Sequence, residues 1–109
     1  MKIKSFAAKN ATKPLEYFEF ERRELTAQDV EFEVLYCGVC HSDVHTARNE
    51  WKDWSPTSYP CVTGHEIVGK VTRIGKKVTK HKNGDIVGVG CIGFCLGPVQ
   101  VVVVAAAGR

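Results

Sequence analysis

The apolar residues of this chain fall in short alternating or β-branched runs that stop at glycine, a pattern that builds strands and leaves little room for helix. In Val30–Tyr36, the residues Val30, Phe32, Val34 and Tyr36 share one face, with Glu31 and Glu33 opposite. Such a period of two predicts a half-buried strand. Ile67–Ile74 is β-branched and ends at Gly75, and Gly69 inside it marks a bulge or a bend. Asp85–Val89 predicts a third strand, and Lys2–Ala8 with Tyr17–Glu24 a starting hairpin. One short helical piece is expected, capped by Ser42 and running through Val44, Ala47 and Arg48. Many short strands joined at glycine predict a mainly β domain, barrel-like or sandwich-like, with few short helices.

Length limits what such a domain can do. With 109 residues the chain is one domain's worth. It can bury a modest core, but it cannot hold both a full dinucleotide-binding sheet and a substrate domain. The formal charge is +3, from 15 Lys+Arg against 12 Asp+Glu. Lys76, Lys77, Lys80 and Lys82 form a basic cluster with no aromatic residue interleaved, which reads as a solvated loop and not as a nucleic-acid surface. No apolar run approaches the ~20 residues of a membrane span, and Met1–Phe6 lacks the apolar core of a secretory signal. Five cysteines in that setting predict reduced thiols in the cytoplasm, with metal or catalytic roles ahead of disulfides. Residues 99–107 are apolar apart from Gln100. They read as a buried strand, or as an unprotected β-prone end that would aggregate without a partner.

Two local groups can carry chemistry. Cys37-Gly38-Val39-Cys40-His41-Ser42-Asp43-Val44-His45 follows the best strand, and Gly64-His65-Glu66 precedes the next. Thiolate sulfur and imidazole nitrogen are preferred Zn²⁺ ligands, and a catalytic zinc takes three protein ligands with one position open. Cys40 and His65 at two strand ends suit two loops meeting at one rim, as an incomplete set. Ser42 and His45 share a face of one helical turn, so a hydroxyl could pass a proton to an imidazole there. Glu66 could tune a metal from beside His65. Trp51, Trp54 and Tyr59 either line a pocket for an apolar substrate or cover the core. Cys37 and Cys61 read as small buried hydrophobes, and His41 and His81 as loop histidines.

Two rival constellations exist. Cys37-x-x-Cys40 with Cys91-x-x-x-Cys95 loosely matches a four-thiolate structural zinc site, though the second spacing exceeds the usual one. Cys-Gly-Val-Cys also matches a thiol redox motif, but that motif should open a long helix in a βαβ setting, which is not predicted here.

Three stretches together carry a family resemblance: Tyr36–His45, Tyr59-Pro60-Cys61-Val62-Thr63-Gly64-His65-Glu66-Ile67-Val68-Gly69, and Gly84-Asp85-Ile86-Val87-Gly88-Val89-Gly90-Cys91. In content and order they resemble the zinc-dependent medium-chain alcohol dehydrogenases, in particular the cinnamyl-alcohol-dehydrogenase-like aldehyde reductases, usually NADP-dependent. The resemblance covers residues 1–92. It implies the N-terminal part of a catalytic domain with a partial GroES-like barrel, and leaves 93–109 as a divergent apolar tail. It also implies Cys40 and His65 as catalytic zinc ligands with Glu66 the nearby carboxylate, Ser42 handing a proton towards His45, Trp51 near the substrate pocket, and a small-molecule alcohol or aldehyde as substrate.

The departures from that family matter as much. Its third catalytic ligand is a Cys downstream of residue 109. Its four-Cys structural zinc lobe is replaced here by Ile92–Pro98, and its NAD(P)-binding domain is missing, with no G-x-G-x-x-G present. The 109 residues alone are therefore expected to be an inactive, truncated piece. A stand-alone, non-catalytic zinc-binding β module is the alternative from a different class. A remnant that aggregates through 99–107 is a third.

Overall fold

The computed structural model describes residues 2–90, side chains included, and the backbone of 100–104. Along the chain run β1 (Lys2–Ala7), β2 (Glu16–Glu21), β3 (Asp29–Gly38), α1 (His41–Ala47), β4 (Glu66–Ile74), β5 (Ile86–Val89) and β6 (Gln100–Val104). β1 and β2 form an antiparallel pair, and the other four strands form a second sheet in the order β5-β4-β3-β6. These sheets do not close on themselves, so the described residues make a partial GroES-like barrel. β6 runs parallel to β3, from Asp29↔Gln100 to Glu33↔Val104, which gives the apolar tail a strand position. Cys91, Cys95 and the rest of the tail lie outside the described residues.

The alternation in β3 holds at its start and fails further on. Val30 and Phe32 are buried and form the core with Val71 and Val78, and Val34, Ile67, Val87 and Val89 pack around them. Tyr36, placed by sequence on the same face, is instead 74% exposed. From Leu35 to Gly38 every residue of β3 is exposed, so none of the described residues covers either face of this end of the strand. A register shift against β4 sets in at the same place: Val34 faces Gly69 but Tyr36 faces Val68, so the residue between them has no partner of its own, as in a β-bulge. Gly69 sits at this irregularity. A Cβ there would lie 2.6 Å from the Glu33 carbonyl oxygen and would also strike the Phe32 ring, so glycine is what lets that ring lie against the strand.

Two acids on β3 are buried, Asp29 and Glu31, the second of them at a position the sequence predicts to face outward. Asp29 accepts from Arg23 Nη2 at 3.1 Å and from the Thr26 backbone N–H at 2.7 Å. Glu31 accepts from Arg73 Nε and from the Thr72 hydroxyl, each at 3.0 Å. Buried carboxylates persist when charged and hydrogen-bonded partners replace water. The Arg23 guanidinium, bonded to Asp29, holds its carboxyl at about 2 despite burial.

Candidate metal centre

β3 and β4 bring the two ligand-bearing segments to one rim. Gly38, the last residue of β3, pairs with Glu66, the first of β4. The chain then turns through Val39 and Cys40 into α1, while His65 immediately precedes β4. One ligand atom from each of Cys40, His65 and Glu66 lies within 4.8 Å of the others. Ser42 Oγ sits 3.1 Å from Cys40 Sγ and 3.3 Å from His65 Nε2.

The residue holding this arrangement is one the sequence reading passed over. Asp43 Oδ2 accepts from the Cys40 backbone N–H at 3.0 Å. Its Oδ1 accepts from the Gly64 backbone N–H at 3.0 Å and lies 3.0 Å from His65 Nδ1. A single carboxylate thus ties the thiol-bearing turn to the histidine-bearing turn. That contact favours a proton on Nδ1, the tautomer in which Nε2, on the side of Ser42 and Cys40, would be the atom to bind a metal. The signal was available: an acid three residues into a helix that reaches back to the cap N–H is half of a capping box. The cap is therefore Cys40 and not Ser42, which lies inside the first turn.

Glycine gives the remaining acid its place. A Cβ on Gly38 would come within 2.7 Å of Glu66 Oε2, so the Glu66 side chain lies across the space that any larger residue would fill. Gly64, at φ +109°, makes the turn into His65, and a Cβ there would come within 2.8 Å of Cys37 Sγ. Cys37 is exposed and Cys61 half-buried, so neither is the buried hydrophobe that the sequence suggests. With Cys40 they are free thiols.

The electrostatics suit a cation. The Ser42 hydroxyl, bonded to its sulfur, and then the His65 imidazole pull the Cys40 thiol down towards its thiolate form. The hydrogen bond with Cys40, followed by the charge of Asp43, pushes His65 up. Sulfur, nitrogen and carboxylate oxygen are the donor types zinc takes, and an ion bonded at ~2.3 Å to sulfur and ~2.0 Å to nitrogen fits between atoms this close. The residues present therefore fit the metal that the resemblance implies.

Ser42 and His45 share the short helix, but their hydrogen bonds go different ways. Ser42 turns to Cys40 and His65, whereas His45 Nδ1 lies 3.1 Å from Glu50 Oε2. His45 also stacks on Trp51, with ring centroids 5.0 Å apart. A cavity of about 500 Å³ lies between α1 (Asp43, Val44, Ala47) and residues 11–15, and neither Cys40 nor His65 lines it.

Residues 26–106 match the alcohol dehydrogenase GroES-like domain. The chain belongs to that family. It is 54% identical over 92 residues to the aldehyde reductase YahK of Escherichia coli, covering 84% of this chain and 26% of that protein. It is 55% identical over 86 residues to cinnamyl alcohol dehydrogenase 8 of Arabidopsis thaliana, covering 79% and 23%. Its fold superposes on a cinnamyl alcohol dehydrogenase of Sorghum bicolor with a TM-score of 0.78 at 44% identity, over 83% of this chain and 25% of that one. On the CAD of Helicobacter pylori, solved with NADP(H), the TM-score is 0.79 at 39% identity, over 88% and 27%. This GroES-like chain spans about a quarter of the length of these relatives. Among the described residues, no helix is long and apolar enough to cross a membrane.

Proposed function

We propose that residues 1–92 are the zinc-binding portion of the catalytic domain of an NAD(P)-dependent alcohol dehydrogenase or aldehyde reductase, with 93–109 a divergent tail. Cys40 and His65 serve as two zinc ligands and Glu66 as the adjacent carboxylate. The observation that carries this reading is the convergence of Cys40, His65 and Glu66, tied together by Asp43, in a chain of this family.

Bound zinc would polarise an alcohol or aldehyde oxygen and lower the hydroxyl pKa, while a nicotinamide held by the remainder of a dehydrogenase would exchange hydride with the substrate carbon. The chain's own residues handle the proton. Ser42 Oγ, beside both donors, accepts the alcohol proton on one side and releases its own on the other. Glu50 holds Nδ1 of His45 and leaves Nε2 as the acceptor facing away from it. Since Ser42 and His45 bond to other partners, an intervening hydroxyl or water completes the relay. Trp51, stacked on His45, borders the substrate. Small alcohols and aldehydes are the substrates, with no nucleic-acid or membrane partner. The free thiols of Cys37, Cys40 and Cys61, among the described residues, suit the reducing cytoplasm.

Metal titration of the 109-residue chain tests the centre. One Co²⁺ per chain should bind with a thiolate charge-transfer band that disappears in Cys40→Ser and weakens in His65→Ala. A band that survives His65→Ala and vanishes in Cys91→Ala would instead establish a stand-alone thiolate module. Purified chain with zinc, NADPH and an aromatic aldehyde should show no steady NADPH oxidation, since two ligands and a carboxylate without a nucleotide site cannot complete the cycle.

A further inference from the structure

The cavity of about 500 Å³ between α1 and residues 11–15 is lined by none of Cys40, His65 and Glu66. Most of its lining is apolar. Pro14 and Leu15 form one side, Val44 and Ala47 of α1 another, and Cys37 and Val39 come from the end of β3 and the turn beyond it. Val39 is 88% exposed and Leu15 47%, so this apolar surface has no cover among the described residues. Its volume falls in the range of small-molecule sites, roughly 300–1,000 Å³.

Both sides of the cavity are held in place by hydrogen bonds. Asn10 Oδ1 accepts from the backbone N–H groups of Thr12 and Lys13, at 3.0 and 2.9 Å, which sets the loop on one side. On the other, Asp43 ties α1 to the Gly64 N–H and to the Cys40 N–H, each at 3.0 Å. A site whose walls are set before a ligand arrives costs less ordering to fill.

The charges around the cavity favour an anion. Lys13 and Arg48 both line it, and neither side chain has a hydrogen bond or ion pair among the described residues. Glu16, the acid whose charge Lys13 influences, is itself paired with Lys9 at 2.9 Å. Asp43 is the one acid in the lining, and each of its oxygens already accepts a backbone N–H. The Thr46 and Ala47 carbonyls at the end of α1 would repel an anion beside Arg48, but the Thr57 and Tyr59 hydroxyls already bond to them at 2.6 and 2.7 Å. Two uncommitted cations at the edge of an apolar hollow match a ligand with an apolar body and one anionic end. The planar fork of an arginine suits a carboxylate in particular.

We infer that this cavity is a second binding site, for a small apolar carboxylate, with Arg48 and Lys13 taking the carboxylate and Leu15, Val39, Val44 and Ala47 taking the apolar body. The site stands apart from the proposed metal centre, because it uses none of the donor atoms assigned there.

Octanoate and 1-octanol, equal in chain length and different in charge, are suitable probes. Calorimetric titration of the 109-residue chain, without metal, should show one saturable octanoate site, with octanol about fivefold weaker. Octanoate should shift the amide NMR signals of Val39, Val44 and Gly64, around the cavity. Arg48→Gln and Lys13→Gln should each weaken octanoate about fivefold and leave octanol as in the wild type. Both residues are exposed, so neither change disturbs the core, and an unchanged melting curve confirms that. Equal affinity for the two probes, wild-type octanoate binding in both variants, or NMR shifts confined to other surfaces would overturn the inference, as would no octanoate binding at all. Co²⁺ titration of the same samples reads the metal centre separately, so failure of either site leaves the other standing.

Discussion

Asp43 Oδ1 lies 3.0 Å from His65 Nδ1, and the same carboxylate holds the Cys40 backbone N–H through its other oxygen. The two candidate ligands, on opposite sides of a long stretch of sequence, are thus oriented by one side chain that is itself not a ligand. Replacing it by Ala should free both turns and release the imidazole from its tautomer. Metal affinity in Asp43→Ala should fall about 10–100-fold, the usual effect of removing a histidine's orienting carboxylate. Competition against a chromophoric chelator measures this directly, and wild-type affinity would show that the ligand loops are held by other means.

Gly38→Ala should separate the position of Glu66 from the fold. The added methyl meets the Glu66 carboxylate at 2.7 Å, and that side chain is exposed and able to move aside. The melting temperature should therefore change little, while metal affinity drops about tenfold and matches that of Glu66→Ala. An affinity loss confined to Glu66→Ala would mean that the carboxylate does not need the space over Gly38.

Gly69→Ala should act in the opposite sense, on the fold before the site. Its methyl would press on the Glu33 carbonyl and the Phe32 ring, two of the least movable groups in the molecule, since Phe32 is fully buried. Forcing the strand and ring apart should cost about 3 kcal/mol or more, read by denaturant unfolding. A change below about 1 kcal/mol would mean that the bulge adapts freely.

The buried Asp29 sets an acid limit. Its ordinary value is 3.8, and the folded chain holds it at about 2, chiefly through Arg23. A lowered folded value means that the stabilisation is complete above 3.8 and is lost as pH falls from there towards 2. Thermal melts across that window should decline in the wild type and more shallowly in Asp29→Asn. At neutral pH the variant should be destabilised by about 2 kcal/mol, the equivalent of the shift. Parallel acid profiles would assign the acid sensitivity to other groups.

Local patterning made most of this fold legible. The period of two in Val30–Val34, the β-branched run from Ile67 and the hairpin candidates each become a strand within a few residues of the predicted bounds. What pattern could not carry was whatever depends on a neighbour far along the chain. Tyr36 is exposed because none of the described residues covers the end of β3 from Leu35 on, and Glu31 is buried because Arg73 and Thr72 arrive to satisfy it. Residue type and position at strand ends marked the convergence of Cys40, His65 and Glu66, but Asp43 looked like any acid in a first helical turn until the second loop was seen to close on it. Ser42 and His45 were paired by helical spacing alone. Spacing says which side chains are neighbours and is silent on the competing partners, here His65 and Glu50, that each finds nearer.

The helix that bears Ser42, Asp43 and His45 buries no side chain of its own. Side-chain hydrogen bonds tie it to the loops that follow it, from Asp43 to Gly64 and from Thr57 and Tyr59 to its last turn, and it contributes nothing to the Val30–Phe32–Val71–Val78 interior. The working edge of the molecule is in that sense a detachable fitting. Variation along 51–56, between those ties, can reshape the rim while the load on the β-framework stays the same.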